Sequence, residues 1–245
     1  MSRVVFVETL RRNFTSVPYL AFAGFVVLIA SITGALNTDA SIWHTFGSLL
    51  VIGVGAQLIG PEFSAGTLQL ILSKPVNRSV YLLSRCAGVL VAAWSAMAVA
   101  LLFDLGGRVL VFTGPSDWRP MLQSSGGEAM HAVLTCALLA LFGSLSRSYF
   151  NVAIYLVLNL ALSLVIVAMR AVTGGVGQAF SWLQHLVVAY PQIIQTLQSI
   201  HENIFPDVPR ELDPRWTVLV VSNAAIALYL ACLLFRRREV PYGAD

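Results

Sequence analysis

The side chains with the widest chemical repertoire in this 245-residue chain are four histidines, three cysteines and one lysine, and their spacing limits what they can do. A phosphate-cradling loop needs Gly-Lys-Ser/Thr, but the only lysine, Lys74, stands between Ser73 and Pro75. The chain therefore builds no ATP site of its own. His44, His131, His185 and His201 form no His-Glu-x-x-His pattern, and Gly143-Ser144-Leu145-Ser146 has no basic partner within an apolar stretch, so an intramembrane hydrolase finds little support. Cys86, Cys136 and Cys232 are widely separated inside apolar stretches, which suggests packing rather than a disulfide framework or a zinc site. No catalytic, cofactor-binding or metal-ligating residue is assigned.

The elements that carry these residues are read from composition. The chain is 57% apolar and 11% charged, against about 25% charged in an average soluble domain, which excludes an ordinary soluble protein. The net charge of +3 comes without a dense basic patch, so no nucleic-acid partner is expected. Six apolar stretches predict an all-α integral membrane protein with spans at about 19–36, 42–60, 86–106, 129–145, 149–169 and 216–235. The first resembles an uncleaved span rather than a signal peptide.

Three further segments have structure predicted. Val4, Val7, Leu10 and Phe14 form one helical stripe opposite Arg3, Glu8, Arg11 and Arg12, which suits an interfacial helix ahead of the first span. Between spans five and six, apolar residues from Phe180 to Ile200 recur at helical spacing and Pro191 divides them, predicting two short outer helices too short to cross. Between spans two and three, Gly66 permits a turn, Thr67 suits an N-cap, and Pro75 ends a short apolar helix over Leu68–Leu72. Its exposed leucines require a partner groove.

Charge sets the orientation. With the amino terminus inside, Arg3, Arg11, Arg12, Lys74, Arg78, Arg85, Arg147 and Arg236 to Arg238 all fall on the inner side. Both termini and the short helix are then cytoplasmic. Within the spans the polar residues include Gln57, Ser95, Thr135, Asn159, Ser163, Ser222 and Asn223, with no acid or base near a predicted midpoint. Asn159 and Ser163, one turn apart, either line a pathway or join helices, the commoner use of a span amide. Gln57 and Asn223 share these two readings. Gly88, Ala92, Ala96 and Ala100 form a small-residue ridge on span three, as Cys136, Ala140 and Ser144 do on span four. Asp104 and Arg108 are spaced for an ion pair at the outer end of span three, and Glu128 and His131 open span four.

The run Glu62-x-x-x-Gly66-Thr67-Leu68-x-Leu70-Ile71-Leu72, followed by Ser73-x-Pro75-Val76-x-Arg78 and Arg85, resembles the signature of ABC-2 type permeases, the membrane subunits of ABC transporters. Six spans, the interfacial helix and the outer helices are similar to that family too, so the resemblance covers residues 1–245 as a single transmembrane domain. It implies that Gly66 to Pro75 form a coupling helix on a separate ATPase present in two copies, with Glu62 a hinge or relay bonded to this segment, Arg11 or Arg78. It also implies a second permease subunit, identical or related, enclosing one pathway within membrane lipid. ATP and Mg would sit on the partner ATPase, and no cofactor on this chain. The implied function is probable export from a bacterial inner membrane; a scaffold that docks an ATPase without transporting is the alternative. The apolar lining suits a hydrophobic or amphipathic substrate, and spans that stand aside would suit a bulky polar polymer. The topology predicts that a cysteine replacing Asn77 reacts with an impermeant thiol reagent only from the cytoplasmic side; labelling from outside inverts the map.

Overall fold

The computed structural model describes residues 2–36, 43, 46–56, 58, 77–111, 118–146, 150–173, 191–209 and 213–237. Within them lie eight helices: α1 (Arg3–Phe14), α2 (Val17–Leu36), α3 (Phe46–Gly55), α4 (Arg78–Val111), α5 (Arg119–Leu145), α6 (Phe150–Thr173), α7 (Pro191–Ile204) and α8 (Pro214–Arg237). Prolines mark the starts: Pro18, Pro120, Pro191 and Pro214 all fall in a first turn, where a missing N–H costs no intrahelical bond. Asp213 caps α8 by accepting the Arg215 N–H at 3.0 Å, and Asn77 caps α4 by accepting from Ser79 N at 3.0 Å.

Five helices are long and apolar enough to cross a bilayer: Val17–Leu36, Arg78–Val111, Met121–Leu145, Phe150–Val167 and Pro214–Arg237. They coincide with five of the six predicted spans. The described helix at the second, α3, has 10 residues, about 15 Å against about 30 Å of hydrocarbon. α4 and α5 begin well before the predicted 86 and 129: Asn77 caps α4, a proline stands in the first turn of α5, and a helix so started continues through polar residues to which hydropathy is blind. One consequence is that Glu128 and His131 do not open span four: they lie near the middle of α5. α7 is the predicted outer helix that follows Pro191; the one proposed before Pro191 lies outside the described residues.

The described residues form two compact units. In the larger, Met1–Val152 with Val208–Asp245, α2 runs along α4, α8 along α5, α1 against α4, and α3 against α4 and α5. The predicted ridge of Gly88, Ala92, Ala96 and Ala100 is buried in these contacts, as are Cys136, Ala140 and Ser144. Such small residues let backbones approach closely, which apolar packing in lipid requires. Tyr19 crosses from α2 to donate its hydroxyl to the Ala92 carbonyl at 2.8 Å. The smaller unit, Ala153–Asp207, pairs most of α6 with α7 through an edge-to-face contact of Tyr155 with Phe205.

α1 turns opposite to the usual rule. Its polar Thr9 and Asn13 are buried, while Val4 is 79% exposed and Val7 51%. The small polar face of α1 packs on α4, and its apolar stripe is left outward. Among the described glycines the least room is at Gly34, where a Cβ would collide with the Asp104 backbone, whereas a Cβ at Gly24 of the same helix meets nothing within 4 Å. Gly34→Ala should therefore lower stability by about 1–3 kcal/mol in a detergent unfolding titration. Gly24→Ala should stay within about 0.5 kcal/mol of the parent.

Candidate functional site

The predicted coupling segment, with Glu62, Gly66, Thr67, Leu68, Leu70, Ile71, Leu72, Ser73 and Pro75, lies outside the described residues, as does Gln57. The frame at its two ends is described. Before it, Leu58 is fully buried and its N–H bonds the Gly55 carbonyl at 3.0 Å. After it, Asn77 starts α4.

One buried cation, Arg85, ties this frame together. Its Nε donates to the Leu58 carbonyl at 3.2 Å and its Nη1 to Thr9 Oγ1 at 3.3 Å, while its guanidinium lies 5.9 Å from the centre of the Tyr81 ring. Thr9 Oγ1 in turn donates to the Val5 carbonyl at 2.7 Å, and Tyr81 stacks on Phe235 of α8. Ser2 N donates to Ser84 Oγ at 2.8 Å, and Gly88 leaves room for Thr9, which a Cβ would approach to 2.8 Å. Arg85 thus joins α1, the chain just before the predicted coupling segment, α4 and, through Tyr81, α8. A buried charge is tolerated only with such partners, and the planar five-donor guanidinium reaches several acceptors where an ammonium would not. The sequence marks Arg85 as the last residue of a motif and as one of the basic residues that set orientation; its role at this junction depends on Thr9 and Leu58, which carry no sequence signal.

Arg78 donates from Nη1 to the Arg236 carbonyl at 3.3 Å, placing a cation at the negative end of the α8 dipole. It therefore makes a specific contact as well as adding to the basic flank. Arg11 lies 4.0 Å from Glu8, both well exposed, which adds little stability.

Farther along the helices are three polar clusters. In the smaller unit, His201 Nε2 lies 3.2 Å from Asn159 Oδ1 and 3.1 Å from Ser163 Oγ. Asn159 and Ser163 are thus joined to α7 by an interhelical bond, and His201 meets the middle of α6. In the larger unit, Asp104 is fully buried between Arg108 Nε at 3.0 Å and Trp43 Nε1 at 2.9 Å, which confirms the Asp104–Arg108 pair. Buried Glu128 accepts from Ser48 Oγ at 3.3 Å, and Ser48 Oγ is 2.6 Å from His131 Nδ1. When Ser48 donates to Glu128, the His131 Nδ1–H donates to Ser48. The hydroxyl therefore stands between acid and imidazole, whereas a hydrolase needs the imidazole between hydroxyl and acid. Trp43 and Ser48 were invisible to sequence reasoning, because a tryptophan and a serine near an apolar run have many uses. Asn223 is half-buried along α8. Among the described residues no group of His, Cys, Asp and Glu is arranged to hold a metal ion.

Arg85→Lys should loosen α1 without disturbing α5. Hydrogen exchange at the α1 amides should accelerate about 10- to 100-fold, as expected for the loss of a buried hydrogen bond to a charged group. Unchanged α1 exchange would refute the tie.

With this geometry described, comparison with known proteins adds one match. The family described as ABC-2 family transporter protein matches residues 14–240, from the end of α1 through α8. No curated protein matches the chain. All five helices able to cross a membrane fall within the match. The all-helical multi-pass architecture and the match over nearly the whole length agree with the motif around Gly66 and Pro75: the chain belongs to the ABC-2 transporter family, as a membrane-spanning permease subunit of an ABC transporter.

Proposed function

We propose that this subunit forms half of a translocation pathway and converts ATP hydrolysis on a separate nucleotide-binding chain into helix movement, moving substrate outward. The observation that carries this reading is the Arg85 junction. Leu58 and Asn77 flank the segment resembling a coupling helix, and Arg85 connects Leu58 to α1 and α4. A push on a short helix seated in a groove of an ATPase would reach Leu58 and the start of α4 first. The buried bonds of Arg85 would then carry it to α1, and the Tyr81–Phe235 stack to α8. Such contiguous contacts favour rigid-body transmission over local yielding.

In this reading Leu68, Leu70, Ile71 and Leu72 fill the groove, Gly66 and Pro75 bound the helix, and Thr67 and Ser73 serve its ends. Glu62 acts as the hinge. Two ATPase copies bind ATP and Mg, and two permease subunits enclose the pathway. Both termini face the cytoplasm of a cell whose inner membrane houses the complex. The charge distribution of the loops supports this orientation.

Replacing both Leu70 and Ile71 with Asp should reduce ATPase co-purification at least about tenfold, since each change puts a charge in an apolar groove, while membrane insertion is retained. Co-purification in mild detergent, followed by vanadate-sensitive ATP hydrolysis, measures this. Normal ATP-driven transport by the double variant would overturn the coupling-helix assignment. ATPase association without vanadate-sensitive transport in the parent would favour the scaffold reading.

A further inference from the structure

At the end of α8, a cleft of about 540 Å³ opens between that helix and the first turn of α4. Among the described residues it is lined by Ser79, Tyr229, Cys232, Leu233, Arg236 and Arg237. Its two ends differ in chemistry. At the mouth are Arg236 and Arg237; among the described residues neither forms a salt bridge and none that lines the wall is acidic. Arg78 adds a third cation beside them through its bond to the Arg236 carbonyl. This contact also offsets the negative end of the α8 dipole, while Ser79 brings the positive end of α4 to the wall.

Beyond Tyr229, where the cleft ends, the exposed face of α8 continues as an apolar track. Tyr229 is 67% exposed and Ile226 58%, with Leu230 beside them on the same side of α8. From Arg236 to Ile226 is ten residues, about 15 Å of helix, or half of the roughly 30 Å hydrocarbon core. The cationic mouth and the apolar track therefore match the headgroup level and the depth of one leaflet.

We infer that this cleft binds an anionic phospholipid, its phosphate held by Arg236 and Arg237 beside the Ser79 hydroxyl and an acyl chain lying along Leu233, Tyr229 and Ile226. Guanidinium groups at a membrane surface are the chemistry that recognises such headgroups. The apolar track is what separates a lipid from free phosphate, which would use the mouth alone. The inference rests on α8 crossing the membrane and is independent of how the subunit couples to an ATPase.

Cys232 provides the readout, because it lines the cleft and is partly accessible, whereas Cys86 and Cys136 are buried and serve as internal references. The full chain, at one copy per nanodisc, is alkylated with N-ethylmaleimide in phosphatidylcholine and in phosphatidylcholine mixed with phosphatidylglycerol, and the modified cysteines are followed by mass spectrometry. Phosphatidylglycerol should slow Cys232 alkylation selectively. The double variant Arg236→Gln, Arg237→Gln should need about 30-fold more phosphatidylglycerol for the same protection, and Arg236→Lys with Arg237→Lys should retain most of it. Equal Cys232 rates in the two lipid mixtures would overturn the proposal in the unsubstituted protein, whatever the variants do. Equal protection by millimolar inorganic phosphate in phosphatidylcholine alone would overturn it in favour of a free-anion site. Protection that appears only when two copies share a disc, whatever the lipid, would overturn it in favour of a subunit interface.

Discussion

A polar group withdrawn from water into a membrane protein must find its partners within the fold, and at Arg85 that requirement organises one whole end of the larger unit. The guanidinium is buried and bonded to Leu58 and Thr9, with Tyr81 against its face. Each partner belongs to a different stretch of chain. α1 must keep Thr9 toward α4, which obliges Gly88 to remain without a side chain and turns the apolar residues Val4 and Val7 outward. The chain leaving α3 must present the Leu58 carbonyl, and so fixes the point from which the following segment departs. A single cation thereby sets the geometry of the chain on either side of that segment, at Leu58 and along the first turns of α4.

The same economy recurs along the helices. Asp104 is satisfied by Arg108 and Trp43, Glu128 by Ser48, and Asn159 by His201. Each acid or amide draws on a second helix or a connecting residue, so these contacts specify which helices are neighbours more than they add net stability. Close apolar packing does the rest: Gly34 meets the Asp104 backbone, and Tyr19 lies over Ala92. Helices joined by small contacts and a few directed bonds can shift as units, which is the mechanical property that a transport subunit needs. The exposed face of α8, by contrast, has cations at one end and an apolar track beyond, and its chemistry is directed at lipid.

Much of this was legible in the sequence, because hydrocarbon imposes a length and a composition on whatever crosses it. Five spans, the short helix starting at Pro191, the small-residue ridges and the Asp104–Arg108 pair follow from hydropathy, proline chemistry and helical spacing. The family is carried by the motif from Glu62 to Arg85, and the match over residues 14–240 agrees with it. The starts of α4 and α5 were not legible, since a helix needs no apolar residues to continue and hydropathy reports only solvent preference.

Only the tertiary structure decided which residues meet. Ser48 and His131 are 83 positions apart, and Arg85 and Thr9 are 76 apart. No local periodicity encodes such distances; they arise when helices choose neighbours to bury ridges and satisfy polar groups together. The sequence by itself determined that the chain is helical, membrane-spanning and without a phosphate loop, because these depend on residue types in order along the chain. The fold decided that Thr9 rather than Val7 faces α4, that Glu128 lies deep in α5, and that the cations of α8 border a cleft, because each depends on what stands opposite.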